Sequence, residues 1–243
     1  MDSTITTELK RINQSQLPNY LSDEMDFLDT SFFKIAGRKL PCPQQLGASR
    51  EGITVISEMQ LVIKFGQHVT IDEAVTMWVV RKYLGHQVPV PKLFGWRVYQ
   101  GTVYIYMELI AGVTLEERWK DMDLSDKASW LEWLPQRFLS SSQRYKDPYL
   151  TLMPKDTAIK FTHADVHPTN IIVSTSGFGP ARVLALIDWG QSGWYPDYWE
   201  YFKICYTTHW EGEWRKTFIP KMIEPQEDEK YLMDEYTATI GAV

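Results

Sequence analysis

The residues best suited to do chemistry lie in two short segments of the second half of the chain. Asp165 and Asn170 stand five positions apart in the segment FTHADVHPTN, and Asp188 follows the apolar run that ends at Ile187. Transfer of a phosphoryl group from ATP requires a carboxylate that orients the acceptor hydroxyl and accepts its proton. It also requires oxygen ligands for a Mg²⁺ ion that bridges the phosphates. Asp165 supplies the first group, and Asn170 and Asp188 supply the second.

A predicted β-hairpin explains how Asn170 and Asp188 can reach one metal ion. Residues 171–174 and 182–187 form two strand-like runs, separated by a loop that contains Gly177, Gly179 and Pro180. The D-x-x-x-x-N spacing is that of a kinase catalytic loop, and Asp188-Trp-Gly stands where a D-F-G aspartate would stand. Each residue alone has a plainer interpretation as a turn or cap residue. The combination favours a phosphoryl-transfer site.

Two histidines flank Asp165, and the sequence predicts structural roles for both. His163 is expected to pack under the loop and to bond a backbone carbonyl near Asp188. His167 is a candidate base, because an unperturbed imidazole changes charge near neutral pH. A solvent-facing or loop-stabilising role for His167 is favoured over catalysis.

The first half of the chain predicts a small α+β lobe. The sequence T-I-D-E at 70–73 has the form of a capping box, which opens a helix that ends near Leu84. Alternating apolar patterns predict strands on both sides of this helix, at 53–57, 61–65, 93–98 and 102–109. Further on, helices are predicted at 115–121, 125–139 and 197–207.

Composition excludes several classes of protein. The chain has 243 residues and a formal net charge of −6, without the basic cluster that a nucleic-acid-binding surface needs. Cys42 and Cys205 lie far apart in sequence and lack metal-ligand spacing. The N-terminal residues are polar, and no apolar run is long enough for a membrane helix. We therefore expect a cytoplasmic protein with no membrane or nucleic-acid partner, whose length suits two lobes around one cleft.

The segments FTHADVHPTNIIV and LIDWGQSGWYPDYWEYFK resemble the fungal branch of the aminoglycoside phosphotransferase and choline-kinase-like family. The resemblance implies a bilobal, protein-kinase-like α+β fold. It implies an N-terminal tail or helix over 1–30, an ATP-binding lobe with a small sheet and one main helix over 31–110, and a mostly helical catalytic lobe over 111–243. It also implies ATP and Mg²⁺ as cofactors, a small-molecule hydroxyl as acceptor, Asp165 as the catalytic residue, and Asn170 and Asp188 as metal ligands. The aromatic run at 193–200 is interpreted as packing behind the metal aspartate.

The resemblance also implies a set of nucleotide-binding residues in the first half of the chain. Lys64 would contact the α- and β-phosphates, and Glu73 would be its ion-pair partner. The competing interpretation of Glu73 is the capping box itself, and the sequence leaves both open. Further contacts are implied for the gatekeeper Met107, the carbonyl of Glu108, the amide of Ile110, and Ser49 in a loop over the phosphates.

The resemblance is interrupted between the two halves of the predicted catalytic lobe. Only 41 residues separate Trp119 from Phe161, where relatives carry a much longer segment. We expect an internal deletion near residue 129 or 130 that alters the acceptor pocket. The acceptor therefore stays unassigned, and a non-catalytic, kinase-like binding module is the alternative function.

Overall fold

A computed structural model describes residues 14–46, 51–123, 127, 157–175, 181–209 and 211–240. The helix predicted at 125–139, the proposed deletion point, and Ser49 lie outside the described residues. Within them, the chain forms a mixed α+β structure of two parts. The first part is built on one five-stranded antiparallel sheet, and the second combines two small sheets with helices.

The sheet of the first part is formed by residues between Glu24 and Glu108. Its strands are β1 Glu24–Asp26, β2 Gly52–Ile56, β3 Leu61–Gly66, β4 Leu93–Tyr99 and β5 Thr102–Glu108. They lie in the spatial order β1-β4-β5-β3-β2, and all of them are antiparallel. The predicted strands and the hairpin between β4 and β5 are thus confirmed.

The N-terminal segment differs from its expected form. Residues 1–30 were expected to be partly a helix packed on the first lobe and partly a tail, whereas β1 pairs with β4 and forms one edge of the sheet. Arg97 explains part of the attachment, because its guanidinium bonds the Asp26 carboxylate at 2.6 Å and the Met25 carbonyl at 3.0 Å. Residues 24–26 therefore belong to the sheet of the first part, although they precede the predicted start of the ATP-binding lobe at residue 31.

One long helix, α1 (Ile71–Leu84), packs against this sheet. Thr70 caps its first turn, and its buried face presents Ala74, Met77 and Val80 to the core. Trp96 and Ile105 of the sheet belong to the same cluster of buried residues. Burial of apolar surface, at about 25 cal/mol per Å², makes this contact the main stabilising term of the first part.

The second part begins directly after β5 and contains the predicted catalytic hairpin. Strands β8 (Ile171–Val173) and β9 (Val183–Leu186) pair antiparallel, and β6 (Val113–Thr114) adds a third strand. The segment 161–167, predicted as an extended loop, instead begins within strand β7 (Ile159–Thr162). This strand pairs with β10 (Gly193–Pro196), so the aromatic run forms a strand beside the catalytic segment.

Helices complete the second part. They are α2 (Leu115–Trp119), α3 (Trp199–Tyr206), a π-helical turn (Trp214–Phe218), α4 (Ile219–Met222) and α5 (Glu227–Ile240). A single cluster of buried residues runs from α1 through the hairpin to α3 and α4. A sheet lobe with one main helix, followed by a second lobe with a β-hairpin, agrees with the α+β fold class that the sequence predicts. None of the described helices has both the length and the apolarity needed to span a membrane.

Candidate active site

Lys64 lies where the two parts of the molecule meet. Its Nζ is 2.8 Å from Glu73 Oε1 and 2.8 Å from Asp188 Oδ1. Lys64 projects from the middle of β3, Glu73 from the first turn of α1, and Asp188 from the residues that follow β9. Burial lowers the pKa of Lys64, but the attraction of Glu73 and Asp188 outweighs burial and raises the pKa above its ordinary value. The lysine is therefore a fixed positive charge at the cleft.

Glu73 uses its carboxylate for the ion pair with Lys64, and among the described contacts the carboxylate makes no return bond to the Thr70 N–H of the kind that a capping box requires. Its backbone N–H donates to Thr70 Oγ1 at 3.3 Å, which caps α1, while its carboxylate binds Lys64. A helix cap of this kind uses only the backbone of the third helical residue. The Glu73 side chain is therefore free for the ion pair, and the competing interpretation of its carboxylate as the second half of a capping box is wrong.

We expect replacements of Glu73 and Thr70 to separate these two interactions. Glu73→Gln should weaken ATP binding about tenfold, because Lys64 loses the charged partner that orients it. Thr70→Val should cost about 1 kcal/mol of folding stability and leave the ATP Kd unchanged, because only the cap is lost. Calorimetric titration with ATP and urea denaturation measure the two effects. Equal losses of ATP affinity in both variants would contradict the assignment.

Asn170 and Asp165 are joined by hydrogen bonds. The Asn170 side-chain amide donates to Asp165 Oδ2 at 2.9 Å and to the Asp165 carbonyl at 3.0 Å. The Ile187 N–H donates to the Asn170 carbonyl at 3.0 Å, which places the residue before Asp188 directly beside Asn170. The hairpin thus brings together the three residues predicted from spacing. Lys64 and Glu73 join them through Asp188.

Two residues of this site adopt the left-handed backbone conformation that glycine normally occupies. Ala164 has a φ of 61° and Asp188 a φ of 62°. For residues other than glycine this conformation costs on the order of 1 kcal/mol or more, and it is concentrated at functional sites. One strained residue is Asp188, and the other, Ala164, directly precedes Asp165. The strain therefore accompanies the two carboxylates to which the sequence assigns chemistry.

The Asp165 carboxyl lies in a mixed electrostatic environment. Burial raises its pKa and the nearby Asp188 adds to that increase, while Lys203 and the hydrogen bond from Asn170 act in the opposite direction. The net result is a pKa above the ordinary value of 3.8. A carboxylate with a raised pKa is a better proton acceptor than an exposed one.

The two histidines have the structural contacts that the sequence predicted. His163 is fully buried, and its Nε2 lies 3.0 Å from the Ile187 carbonyl, so this nitrogen carries the proton. Burial lowers the pKa of His163 to about 4, which keeps the ring neutral. His167 Nδ1 accepts a bond from the Thr169 N–H at 3.4 Å and caps the short turn that leads to Asn170. His167 therefore stabilises the loop.

Glu200 is a residue of the site that the sequence interpretation treated only as packing. It lies on α3, is 6% exposed, and its Oε2 accepts the N–H groups of His163 at 2.8 Å and Ala164 at 3.1 Å. Burial raises the pKa of Glu200 to about 7 although these backbone bonds oppose the increase. The sequence did hold a signal for this contact, namely a glutamate within a helix rich in aromatic residues. A glutamate is rarely buried without a partner, so its position indicated a polar contact.

The predicted nucleotide-binding site also includes the face of the sheet that carries Lys64. In the register of the sheet, Ile53 lies opposite Lys64, and Val55 and Met107 lie opposite Val62, so all of them share one face. Ile53 and Val55 are 66% and 52% exposed although the residues are apolar. Ile53 and Val55 thus line the face beside Lys64 with apolar surface. The sequence did not predict this placement, because the strand register cannot be read from it.

The predicted hinge follows β5. Met107 is buried near the end of the strand, and the Glu108 carboxylate binds Lys92 at 3.3 Å. Leu109 donates its N–H to the Gln60 carbonyl at 2.9 Å, whereas the Ile110 N–H has no hydrogen bond to any described residue. An open amide at this position is compatible with the predicted contact to an adenine edge.

The oxygen atoms near Asn170 fit a magnesium ion held together with phosphates. The Asn170 amide nitrogen is used by Asp165, and its Oδ1 accepts the Thr169 hydroxyl at 3.5 Å and keeps a second lone pair for a metal. The Asp188 side chain is 43% exposed. Within the part of the chain that the structure describes, no cluster of three or more acidic, cysteine or histidine side chains could hold a metal alone. Mg²⁺ commonly uses one or two protein oxygens and completes its coordination with phosphates and water.

Comparison with known proteins gives a family match in the second half of the chain. Residues 114–230 match the family described as "Phosphotransferase enzyme family". This match covers just under half of the chain, including Asp165, Asn170 and Asp188. A search of curated proteins found no match.

Solved structures with similar folds are aminoglycoside phosphotransferases. One is an apo thermostable mutant of aminoglycoside phosphotransferase APH(4)-Ia, with 16% identity, a TM-score of 0.44, and coverage of 74% of this chain and 73% of that chain. Another is an aminoglycoside-3'-phosphotransferase of type VIII, with 15% identity, a TM-score of 0.40, and coverage of 74% and 77%. The APH(4)-Ia mutant was also solved with ADP and hygromycin B, at 15% identity, a TM-score of 0.42, and coverage of 72% and 70%. Identities and scores this low say nothing about the substrate of this chain.

Proposed function

We propose that this protein is a phosphotransferase that moves the γ-phosphoryl group of ATP to a hydroxyl of a small molecule and uses Mg²⁺. The observation that carries the proposal is the continuous network from Glu73 through Lys64 and Asp188 to the hairpin, where Asn170 binds Asp165. Its members come from β3, α1 and both sides of the catalytic hairpin. Such convergence of a lysine, an amide and two separated carboxylates suits phosphoryl transfer.

Each residue has a defined part in the proposed reaction. Lys64, held by Glu73, binds the α- and β-phosphates of ATP. Asn170 Oδ1 and the Asp188 carboxylate would hold Mg²⁺, which neutralises charge on the phosphates when it is bound. Asp165 orients the acceptor hydroxyl and receives its proton as the new oxygen–phosphorus bond forms. The bond between the γ-phosphorus and the bridging oxygen breaks, and ADP leaves.

The alternative of a non-catalytic binding module is less well supported. A module that acts only by docking a partner has no need for the Asn170 amide to fix the Asp165 carboxylate at 2.9 Å. It also has no need for a left-handed backbone at Asp188, which costs folding energy. The proposal includes a soluble, cytoplasmic location for the enzyme. Membership of the fungal branch of the family and an internal deletion near residue 129 or 130 are further expectations.

The proposal predicts that nucleotide binding requires Mg²⁺. At about one hundred times its Kd, ATP with Mg²⁺ should stabilise the fold by about 2.7 kcal/mol, which raises Tm by several degrees. ATP with EDTA should give a much smaller rise, because Asp188 then repels the phosphates. Differential scanning fluorimetry measures the shift, and release of ADP measures turnover. A protein that neither transfers phosphate to any hydroxyl nor hydrolyses ATP would contradict the proposal.

A further inference from the structure

Lys203 is a basic residue on the floor of the site that no part of the proposed reaction uses. It lies on α3 three positions after Glu200, and residues three apart in a helix are neighbours on one side. Glu200 binds the backbone at His163 and Ala164, so the same side of α3 brings Lys203 toward the loop that carries Asp165. Lys203 therefore lies on the side of α3 that faces the loop with Asp165.

The hydrogen-bond partner that the structure gives to Lys203 is neutral. Its Nζ donates to Gln191 Oε1 at 2.8 Å, and Gln191 stands three positions after Asp188. Among the described residues, no carboxylate lies within ion-pair distance of this ammonium group, which is half-buried. Asp165 lies within electrostatic reach of this ammonium group. A half-buried cation with one neutral partner retains donors for an anion.

We propose that Lys203 and Gln191 bind an anionic group of the acceptor, so that the enzyme prefers hydroxyl compounds with a carboxylate or phosphate close to the reacting hydroxyl. This inference rests on the proposed phosphotransferase function and names its substrate class. The ammonium supplies the charge, and the exposed Gln191 amide supplies further donors beside it. Asp165 then receives the proton of a hydroxyl that Lys203 has brought into range.

A separate feature of the surface would favour the opposite charge. A cavity of about 530 Å³ near the start of α5 is lined mainly by carboxylates, which belong to Asp197, Glu224, Glu227, Asp228 and Glu229. Lys160 is its basic member and lies 3.7 Å from Asp197. An acceptor that carries an amine would bind in this acidic cavity more favourably than next to Lys203 and Gln191. The two alternatives make opposite predictions for matched compounds.

Four small alcohols that differ in one substituent test the inference. Glycerate and glycerol 3-phosphate carry an anion, glyceramide is neutral, and 3-amino-1,2-propanediol carries a cation. Their kcat/KM values for phosphoryl transfer, and their Kd values for the protein saturated with Mg²⁺ and a non-hydrolysable ATP analogue, should favour an anionic compound about ten- to hundredfold over the cationic one. The ratio between glycerate and glycerol 3-phosphate tells which anion fits.

Variants of Lys203 assign the preference to this residue. Lys203→Gln should remove the preference by raising KM for the anionic alcohols relative to the neutral and cationic ones, with the ATP Kd unchanged. Lys203→Arg should restore most of it, and Lys230→Gln on α5 is the control that leaves it intact. Equal preference in wild type and Lys203→Gln, or a preference for the amine, overturns the inference and leaves the phosphotransferase function standing. Bound Mg²⁺ and ATP without transfer to any compound or to water overturns both.

Discussion

Replacing Asp165 with asparagine is expected to lower kcat for phosphoryl transfer by about a thousandfold, the usual contribution of a positioned proton acceptor. Asparagine keeps the size and the hydrogen-bonding oxygen that Asn170 contacts at 2.9 Å, so the loop should stay in place. What is lost is the negative charge that receives the proton. The Kd for ATP with Mg²⁺ should change little, because Lys64, Asn170 and Asp188 remain. Single-turnover assays with ATP and an accepted alcohol measure the effect.

A matched variant separates the loss of catalysis from a general effect of charge. Asp29 is an exposed aspartate of the first lobe, and Asp29→Asn changes the net charge by the same amount. Its kcat should equal that of the wild type. If Asp165→Asn retained most of the activity, the carboxylate would not be the proton acceptor, and a different residue would have to orient the hydroxyl.

Replacing Glu200 is expected to have the largest effect on folding. Glu200→Ala removes the acceptor of two N–H groups in a loop that is shielded from water. Each buried donor left without a partner costs about 1–3 kcal/mol, so the free energy of unfolding should fall by roughly 2–6 kcal/mol. Glu200→Gln is the matched variant, because its side-chain oxygen still accepts both bonds. A loss under 1 kcal/mol in Glu200→Ala, measured in urea, would show that the loop does not depend on this contact.

Glu200→Gln should also change how stability depends on pH. The folded-state pKa of Glu200 is raised from 4.5 to about 7, so the folded protein holds this proton more tightly than the unfolded chain. The resulting contribution to stability is present below pH 4.5 and is lost as the pH rises through about 7. The variant has no such loss. Its stability relative to wild type should therefore rise by up to about 3 kcal/mol between pH 4.5 and pH 7.5.

The pKa shift of His163 changes stability with pH in the opposite direction to that of Glu200. His163 is present in both the wild type and Glu200→Gln. Its pKa is lowered to about 4, so its contribution to stability is present above pH 6.5 and is lost as the pH falls toward 4. The comparison of wild type with Glu200→Gln cancels this effect. Urea denaturation at several pH values measures the difference between them. A difference that stays constant from pH 4.5 to pH 7.5 would contradict the raised pKa of Glu200.

Residues close in sequence were the ones that sequence reasoning positioned well. Asp165 and Asn170 are five apart, and a short hairpin joins Asn170 to Asp188, so local spacing was enough to predict their meeting. The helix at Thr70 was predicted for the same reason, because a capping residue acts on its own first turn. The role of Lys64 came from the family resemblance, since its contact with Asp188 joins residues 124 positions apart.

Contacts that depend on strand register or on burial were missed. Ile53 and Val55 line the face of Lys64 only because β2 pairs with β3 in one particular register, and a shift of one residue would reverse the faces. Glu200 binds a loop more than thirty residues earlier, and its aromatic neighbours gave it the pattern of a packing helix. The strand β1 escaped prediction because three residues carry little periodicity.

A crystal structure with Mg²⁺ and a non-hydrolysable ATP analogue tests the central claim most directly. We expect a metal ion about 2.1 Å from Asn170 Oδ1 and from an Asp188 oxygen, the distance typical of Mg²⁺. Lys64 should leave Asp188 for the α- and β-phosphates and keep its contact with Glu73, while Asp165 faces the γ-phosphate. A nucleotide bound elsewhere, or a metal ion that contacts neither Asn170 nor Asp188, would contradict the account.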